Sequence, residues 1–150
     1  METEIKKLKD LGANVQELKG GLKLIGDWDN SYNEFHNLFT EITGGLDTSC
    51  TVQHPDFLKN LSTLGDLYTS NSVQHPDFLK NLTSLGVLDT SCTVQHHGFL
   101  KNLSRLRYLF TRYSVQHPDF LKNVKITFDL TKNKYENRNF SNFLRKILKI

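Results

Sequence analysis

The sequence is poor in cysteine, proline and long apolar runs. It has two cysteines, three prolines, one methionine and one tryptophan in 150 residues. No stretch approaches the roughly 20 apolar residues of a membrane span, and the first residues, "METEIKKLKDLGANVQ", carry charges where a secretory signal needs an apolar core. We therefore expect a cytoplasmic protein without a transmembrane segment, in which both cysteines stay reduced.

Motifs of the common enzyme classes are missing as well. The chain has no Gly-rich phosphate loop, no G-x-S-x-G elbow and no C-x-x-C pair. Two Cys-x-x-x-His pairs, at 50–54 and 92–96, are candidates for zinc, but two coils of a stack would separate them by roughly 10 Å, too far to share one ion. We expect no enzyme activity, no metal site and no cofactor.

An exact repeat dominates what is present. The string "VQHPDFLKN" occurs three times, and "VQHHGFLKN" is a near copy, so that the four copies begin at 52, 73, 94 and 115 with a constant period of 21. Such a period is typical of repeat architectures. All three prolines lie in these strings, which we interpret as return turns with Phe and Leu buried, Pro-Asp at the bend, and His and Lys in water.

A 21-residue unit has two plausible folds. One is a helix per unit, paired into an all-α helical-hairpin array, but Gly65 and Gly86 would then cost about 1 kcal/mol each in helix interiors. The other is a coil with one short strand per unit, which predicts a parallel sheet with strands about 4.8 Å apart. The coil places strands around 64–69, 85–90 and 106–111.

The segments "LSRLRYLFTRYSVQHPDFLKN" (103–123) and "LKNLTSLGVLDTSCTVQHHGFLKNL" (79–103) resemble leucine-rich repeats of the intracellular plant resistance type. The resemblance implies an α/β solenoid, a leucine-rich-repeat-like stack of short parallel strands. The chain departs from the family pattern where threonine replaces the second strand leucine and where the asparagine or cysteine ladder is not cleanly filled. The positions are Thr48, Thr69, Thr90 and Thr111 for the first departure, and Cys50, Asn71, Cys92 and Tyr113 for the second.

The two ends of the chain predict caps around a single repeat domain. Residues 1–45 echo the repeat weakly and are interpreted as degenerate N-terminal repeats or a cap, and 46–129 hold the four units. Period-two alternation over 124–130 predicts a capping strand. Within the C-terminal cap, 130–150, the apolar stripe of 141–150 predicts a capping helix.

The copies differ most in their strand segments, "LGDLYTSN", "LGVLDTSC" and "LRYLFTRY". Residues beside inward leucines face outward in a leucine-rich coil, and Tyr and Arg dominate interface energetics. We therefore predict a non-enzymatic protein–protein recognition module, whose partner is an unidentified protein rather than nucleic acid. The predicted contact residues are Asp66, Tyr68, Asp89, Tyr108, Phe110, Arg112 and Tyr113, with Val87 beside them.

An alternative function uses the basic C-terminal helix. The net charge of +3 has its excess near the C-terminus, and a basic amphipathic helix can bind an anionic surface, either nucleic acid or membrane. Such binding is expected to fall steeply as salt concentration rises.

Overall fold

The computed structural model describes residues 1–49, 54–69, 75, 77–90, 100–110 and 124–129. A single α-helix precedes a run of strands in this part of the chain. The elements are α1 Glu2–Asp10, β1 Val15–Leu18, β2 Gly21–Leu24, a 3₁₀ helix Asn30–Leu38, β3 Phe39–Asp47, β4 Thr63–Tyr68, β5 Ser84–Asp89, β6 Arg105–Phe110 and β7 Lys125–Asp129.

The seven strands form one sheet in their order along the chain. From β2 onward every neighbouring pair is parallel. Among β4, β5 and β6 residues 21 apart are register partners, as in Leu64 opposite Leu85 and Leu85 opposite Leu106. The chain therefore forms a β-solenoid of about three turns. The predicted stack of short parallel strands is confirmed, with β4, β5 and β6 each beginning and ending one residue earlier than expected.

The helical-hairpin array is wrong, because Gly65 and Gly86 lie within β4 and β5. The N-terminal segment also departs from a simple repeat. Its strands β1 and β2 form an antiparallel hairpin, and β2 then pairs in parallel with β3, the first long strand of the stack. A strand is present within 124–130, as β7, whereas its role as a cap stays a prediction and the predicted helix 141–150 lies outside the described residues.

Each of the three repeats whose turn and strand are described contributes four leucines to a narrow core. In the first unit Leu58 and Leu61 precede the strand and Leu64 and Leu67 belong to it, and all four are at most 1% exposed. Burial of one such side chain stabilises the fold by roughly 2 kcal/mol. The next two units repeat the pattern with Leu79, Leu82, Leu85, Leu88, Leu100, Leu103, Leu106 and Leu109.

A buried threonine follows each of three strands, at the position where the leucine-rich pattern has its second strand leucine. Thr48, Thr69 and Thr90 are at most 3% exposed. Each hydroxyl donates to a carbonyl oxygen of the next coil, at 3.3 Å for Thr48 and 3.4 Å for the other two. Because a buried hydroxyl without a partner is costly, these bonds between coils explain why threonine is tolerated in the core.

Polar side chains of the repeated string hold the return turns by hydrogen bonds. The Nδ1 atoms of His54 and His75 accept hydrogen bonds from the amides two residues later, at 3.2 and 3.1 Å. A column of asparagines, Asn60, Asn81 and Asn102, donates Nδ2–H to carbonyl oxygens of the preceding coil at 2.6–2.7 Å. The interpretation of the repeated string as a turn holds, while its histidine is part of the turn's hydrogen bonding.

Aromatic side chains pack together where the N-terminal segment meets the first repeat. The Trp28 ring makes edge-on contacts with Tyr32, Phe39 and Phe57, at centroid distances of 5.7, 5.2 and 5.9 Å. Phe57 in turn stacks on Phe78 at 6.4 Å. The expected burial of the repeat phenylalanines is complete at Phe78 and partial at Phe57, and their copies at 99 and 120 lie outside the described residues.

Candidate recognition surface

The sheet has an outer face, opposite the leucine core, defined here by the residues of β3–β7 that flank the core leucines. One register row of this face contains Asp47, Tyr68, Asp89 and Phe110, one residue from each of β3–β6. Adjacent residues of the row are separated by about 4.8 Å, the spacing between neighbouring strands. We call these four residues the aspartate–aromatic row.

A second row on the same face is formed by Asp66, Val87 and Tyr108. Val87 and Tyr108 are only 5% and 3% exposed, although neither belongs to the leucine core cluster. Tyr108 lies under the Arg107 guanidinium, whose Cζ is 5.2 Å from the ring centroid.

The structure thus brings five of the seven predicted contact residues onto two rows of one face. Tyr68, Asp89 and Phe110 are partly exposed and direct register neighbours. Asp66 is partly exposed in the other row, where Tyr108 is buried. The remaining two residues, Arg112 and Tyr113, lie outside the described residues.

Glycines allow the coils to approach each other closely at this face. A Cβ atom on Gly86 would lie 2.5 Å from the carbonyl oxygen of Gly65, and one on Gly65 would collide with the carbonyl oxygens of Thr43 and Gly44. Real Cβ contacts do not come this close, so both positions exclude a side chain unless the backbone shifts. The two glycines therefore allow neighbouring coils to come into contact at the residue after the first core leucine of β4 and of β5.

Asp66 and Tyr68 form a half-buried pair on the outer face, and the pKa of each side chain is raised. The Tyr68 hydroxyl donates to Asp66 Oδ2 at 3.4 Å. Burial raises the pKa of the Asp66 carboxyl, the bond from Tyr68 opposes this, and the charge of Asp27 raises it further. Burial, with the nearby carboxylate charges, raises the pKa of Tyr68 to about 12.

These causes predict opposite shifts in two variants. Tyr68→Phe removes the hydrogen bond that favours ionised Asp66 and should raise the Asp66 pKa, whereas Asp27→Asn removes a like charge and should lower it. Because folding raises this pKa, the contribution of Asp66 to stability is fully present below its unfolded value of about 3.8 and is lost as pH rises through the folded pKa. A carbon-detected NMR titration of the carboxyl group measures both shifts. Shifts in the same direction would contradict the assignment.

A basic depression occupies the C-terminal part of the outer face. It has a volume of about 450 Å³, and its lining includes Arg105, Arg107, Lys125, Ser84 and Thr127. The excess of positive charge near the C-terminus did not indicate that Lys125 lies beside Arg105 and Arg107. Comparison of the copies could have found the site, because Ser84 and Gly86 are replaced by arginine one repeat later, at 105 and 107.

Two other functions can be compared with the described residues. No three His, Cys, Asp or Glu side chains there lie close enough together to hold a metal ion, and no described helix is both long and apolar enough to cross a membrane. The alternative of anionic-surface binding through the predicted C-terminal helix concerns residues that the structure does not describe, and it stays a prediction.

Comparisons of the chain with protein-family models, curated proteins and solved structures found no match. The strand pairing of the structure defines the parallel β-solenoid, and the comparisons show no family membership.

Proposed function

We propose that this protein is a non-enzymatic recognition module whose outer face binds another protein. The aspartate–aromatic row is the observation that carries the proposal. It places two partly exposed rings, Tyr68 and Phe110, on either side of Asp89 on the surface of a sheet. Rigid aromatic side chains of this kind supply contact area at low entropic cost and are enriched at protein interfaces.

The charge of these two rows defines the partner further. Asp47, Asp66 and Asp89 lie on β3, β4 and β5, so each of these strands places a carboxylate in one of the two rows. A lysine or arginine from a partner could contact the carboxylates and stack on a neighbouring ring. Because Asp66 is already partly desolvated, a cation placed beside it gains more than it would beside a fully exposed carboxylate. We infer a protein partner with a basic segment.

Two broader assignments belong to this proposal. The leucine-rich spacing and the stacked parallel strands support kinship with leucine-rich-repeat recognition proteins. The sparse cysteine supports a cytoplasmic location.

The proposal predicts that the two exposed rings are needed for binding while the return turns are not. In quantitative affinity capture from cells that express the protein, Tyr68→Ala/Phe110→Ala should lose a partner that Lys59→Ala/Lys80→Ala retains, because the control substitutions lie on the return turns. With that partner purified, loss of interface aromatics should cost about 2 kcal/mol, a roughly 30-fold rise in Kd.

Thermal melting of both double variants separates lost binding from lost folding. A variant that melts like the wild type and still captures the same partners at the same level would refute the proposed surface. Tyr108→Ala is a poorer probe, because that ring is buried and its removal also disturbs the packing of the face.

A further inference from the structure

We propose that the basic depression on β5–β7 is a binding site for a phosphate-bearing ligand, distinct from the aspartate–aromatic row. Its three cations, Arg105, Arg107 and Lys125, are exposed and line one continuous hollow of about 450 Å³. That volume lies within the usual range of roughly 300–1,000 Å³ for ligand pockets.

The strand register places the three cations together. Arg105 on β6 is the direct register partner of Lys125 on β7, and Arg107 lies two residues along β6 on the same face. Like charges directly opposite each other on a sheet destabilise it. Within the described residues neither Arg105 nor Lys125 has an acidic partner, since the ion pairs there involve other residues. A bound anion would relieve this repulsion.

The repeat itself shows that the charges are not a by-product of duplication. At the position of Arg105 the two preceding units have Thr63 and Ser84, and at the position of Arg107 both have glycine. The glycine at 86 remains part of the lining.

The donors match a phosphate group better than a single carboxylate. Guanidinium groups bind phosphate oxygens through paired N–H donors, and the hydroxyls of Ser84 and Thr127 add neutral donors to the same lining. Arg107 is held in place by its contact with the Tyr108 ring. Three positive charges are best balanced by a ligand with more than one negative charge, such as two linked phosphates.

Calorimetric titration of the full-length protein with inorganic pyrophosphate tests the proposal. Saturable binding is expected, with a Kd that rises about 10-fold in Arg105→Gln/Lys125→Gln as charge-assisted hydrogen bonds are lost. The matched control, Lys59→Gln/Lys80→Gln, removes the same net charge from the return turns and should leave the Kd unchanged. Absence of saturation, or equal weakening in both double variants, would overturn the site.

A vesicle experiment distinguishes the source of the phosphate. If vesicles of phosphatidylcholine and phosphatidic acid bind the protein and pyrophosphate competes, the site accepts a lipid headgroup; if pyrophosphate binds and the vesicles do not, it accepts soluble phosphates only. Vesicle binding that pyrophosphate cannot displace would contradict the site. Tyr68→Ala/Phe110→Ala should retain pyrophosphate binding, so failure of the recognition surface and failure of this site are separate results.

Discussion

Gly65→Ala should destabilise the protein by about 3 kcal/mol, at the upper end of what overpacking in a tight interior costs. The added methyl group would collide with the carbonyl oxygens of Thr43 and Gly44, which are backbone atoms and cannot rotate away. The neighbouring coil must therefore move, and the register between β3 and β4 moves with it. Thermal denaturation should show a midpoint lower by on the order of 10 °C for a chain of this length.

Gly45→Ala is the matched control. Gly45 lies in β3, the strand next to that of Gly65, and has an ordinary backbone conformation, but the three nearest atoms to its new methyl group would be in the Tyr68 ring at 3.4 Å and in the side chains of Asp27 and Asp66 beyond it. Those are normal contact distances, so this variant should melt close to the wild type. Equal losses in the two variants would show that the cost comes from strand propensity rather than from the approach of the coils.

The period of 21 made the strand positions predictable because it is also the register of the sheet. Leucines spaced by three residues mark the buried side of each strand, so that β4–β6 could be placed to within one residue. The same spacing predicted that Tyr68, Asp89 and Phe110 share a row, since residues one period apart must be neighbours in a stack. The differences between the copies along this row are visible in the sequence alone.

Contacts between coils could not be predicted in the same way. Asparagine in each "FLKN" string is the donor to the preceding turn, but spacing alone does not distinguish a donor from an exposed polar residue. The burial of Tyr108 depends on what lies beside it on the outer face, and the basic depression depends on how Lys125 pairs with Arg105. Both are properties of the assembled sheet, whereas the sequence pattern is a property of one coil.

The backbone conformation of one residue in each described return turn was also unforeseen. Leu58, Leu79 and Leu100 have positive φ angles of 53°, 53° and 56°. Such angles cost a residue with a Cβ atom roughly 1–2 kcal/mol. Each of these leucines is at most 2% exposed, so burial of the side chain offsets the strain. Packing in the core therefore favours leucine at these positions, although the backbone conformation favours glycine.

This conflict predicts a reversed order of stability at Leu79. Both Leu79→Ala and Leu79→Gly remove a fully buried side chain and should cost about 2–5 kcal/mol. Glycine adopts positive φ without penalty, so Leu79→Gly should be more stable than Leu79→Ala by about 1 kcal/mol. Urea denaturation of the two variants under one set of conditions measures the difference in the free energy of unfolding.

Leu82 provides the comparison because it is equally buried and its φ is not positive. There the ordinary order should apply, with Leu82→Gly less stable than Leu82→Ala by roughly 0.5–1 kcal/mol. Each pair of variants removes one buried leucine, and the two positions differ in backbone conformation. The sign of the difference in unfolding free energy between the glycine and alanine variants therefore reports the strain directly. If glycine is the less stable residue at both positions, the turn does not hold Leu79 in a strained conformation, and the repeated "FLKN" string must owe its leucine to packing only.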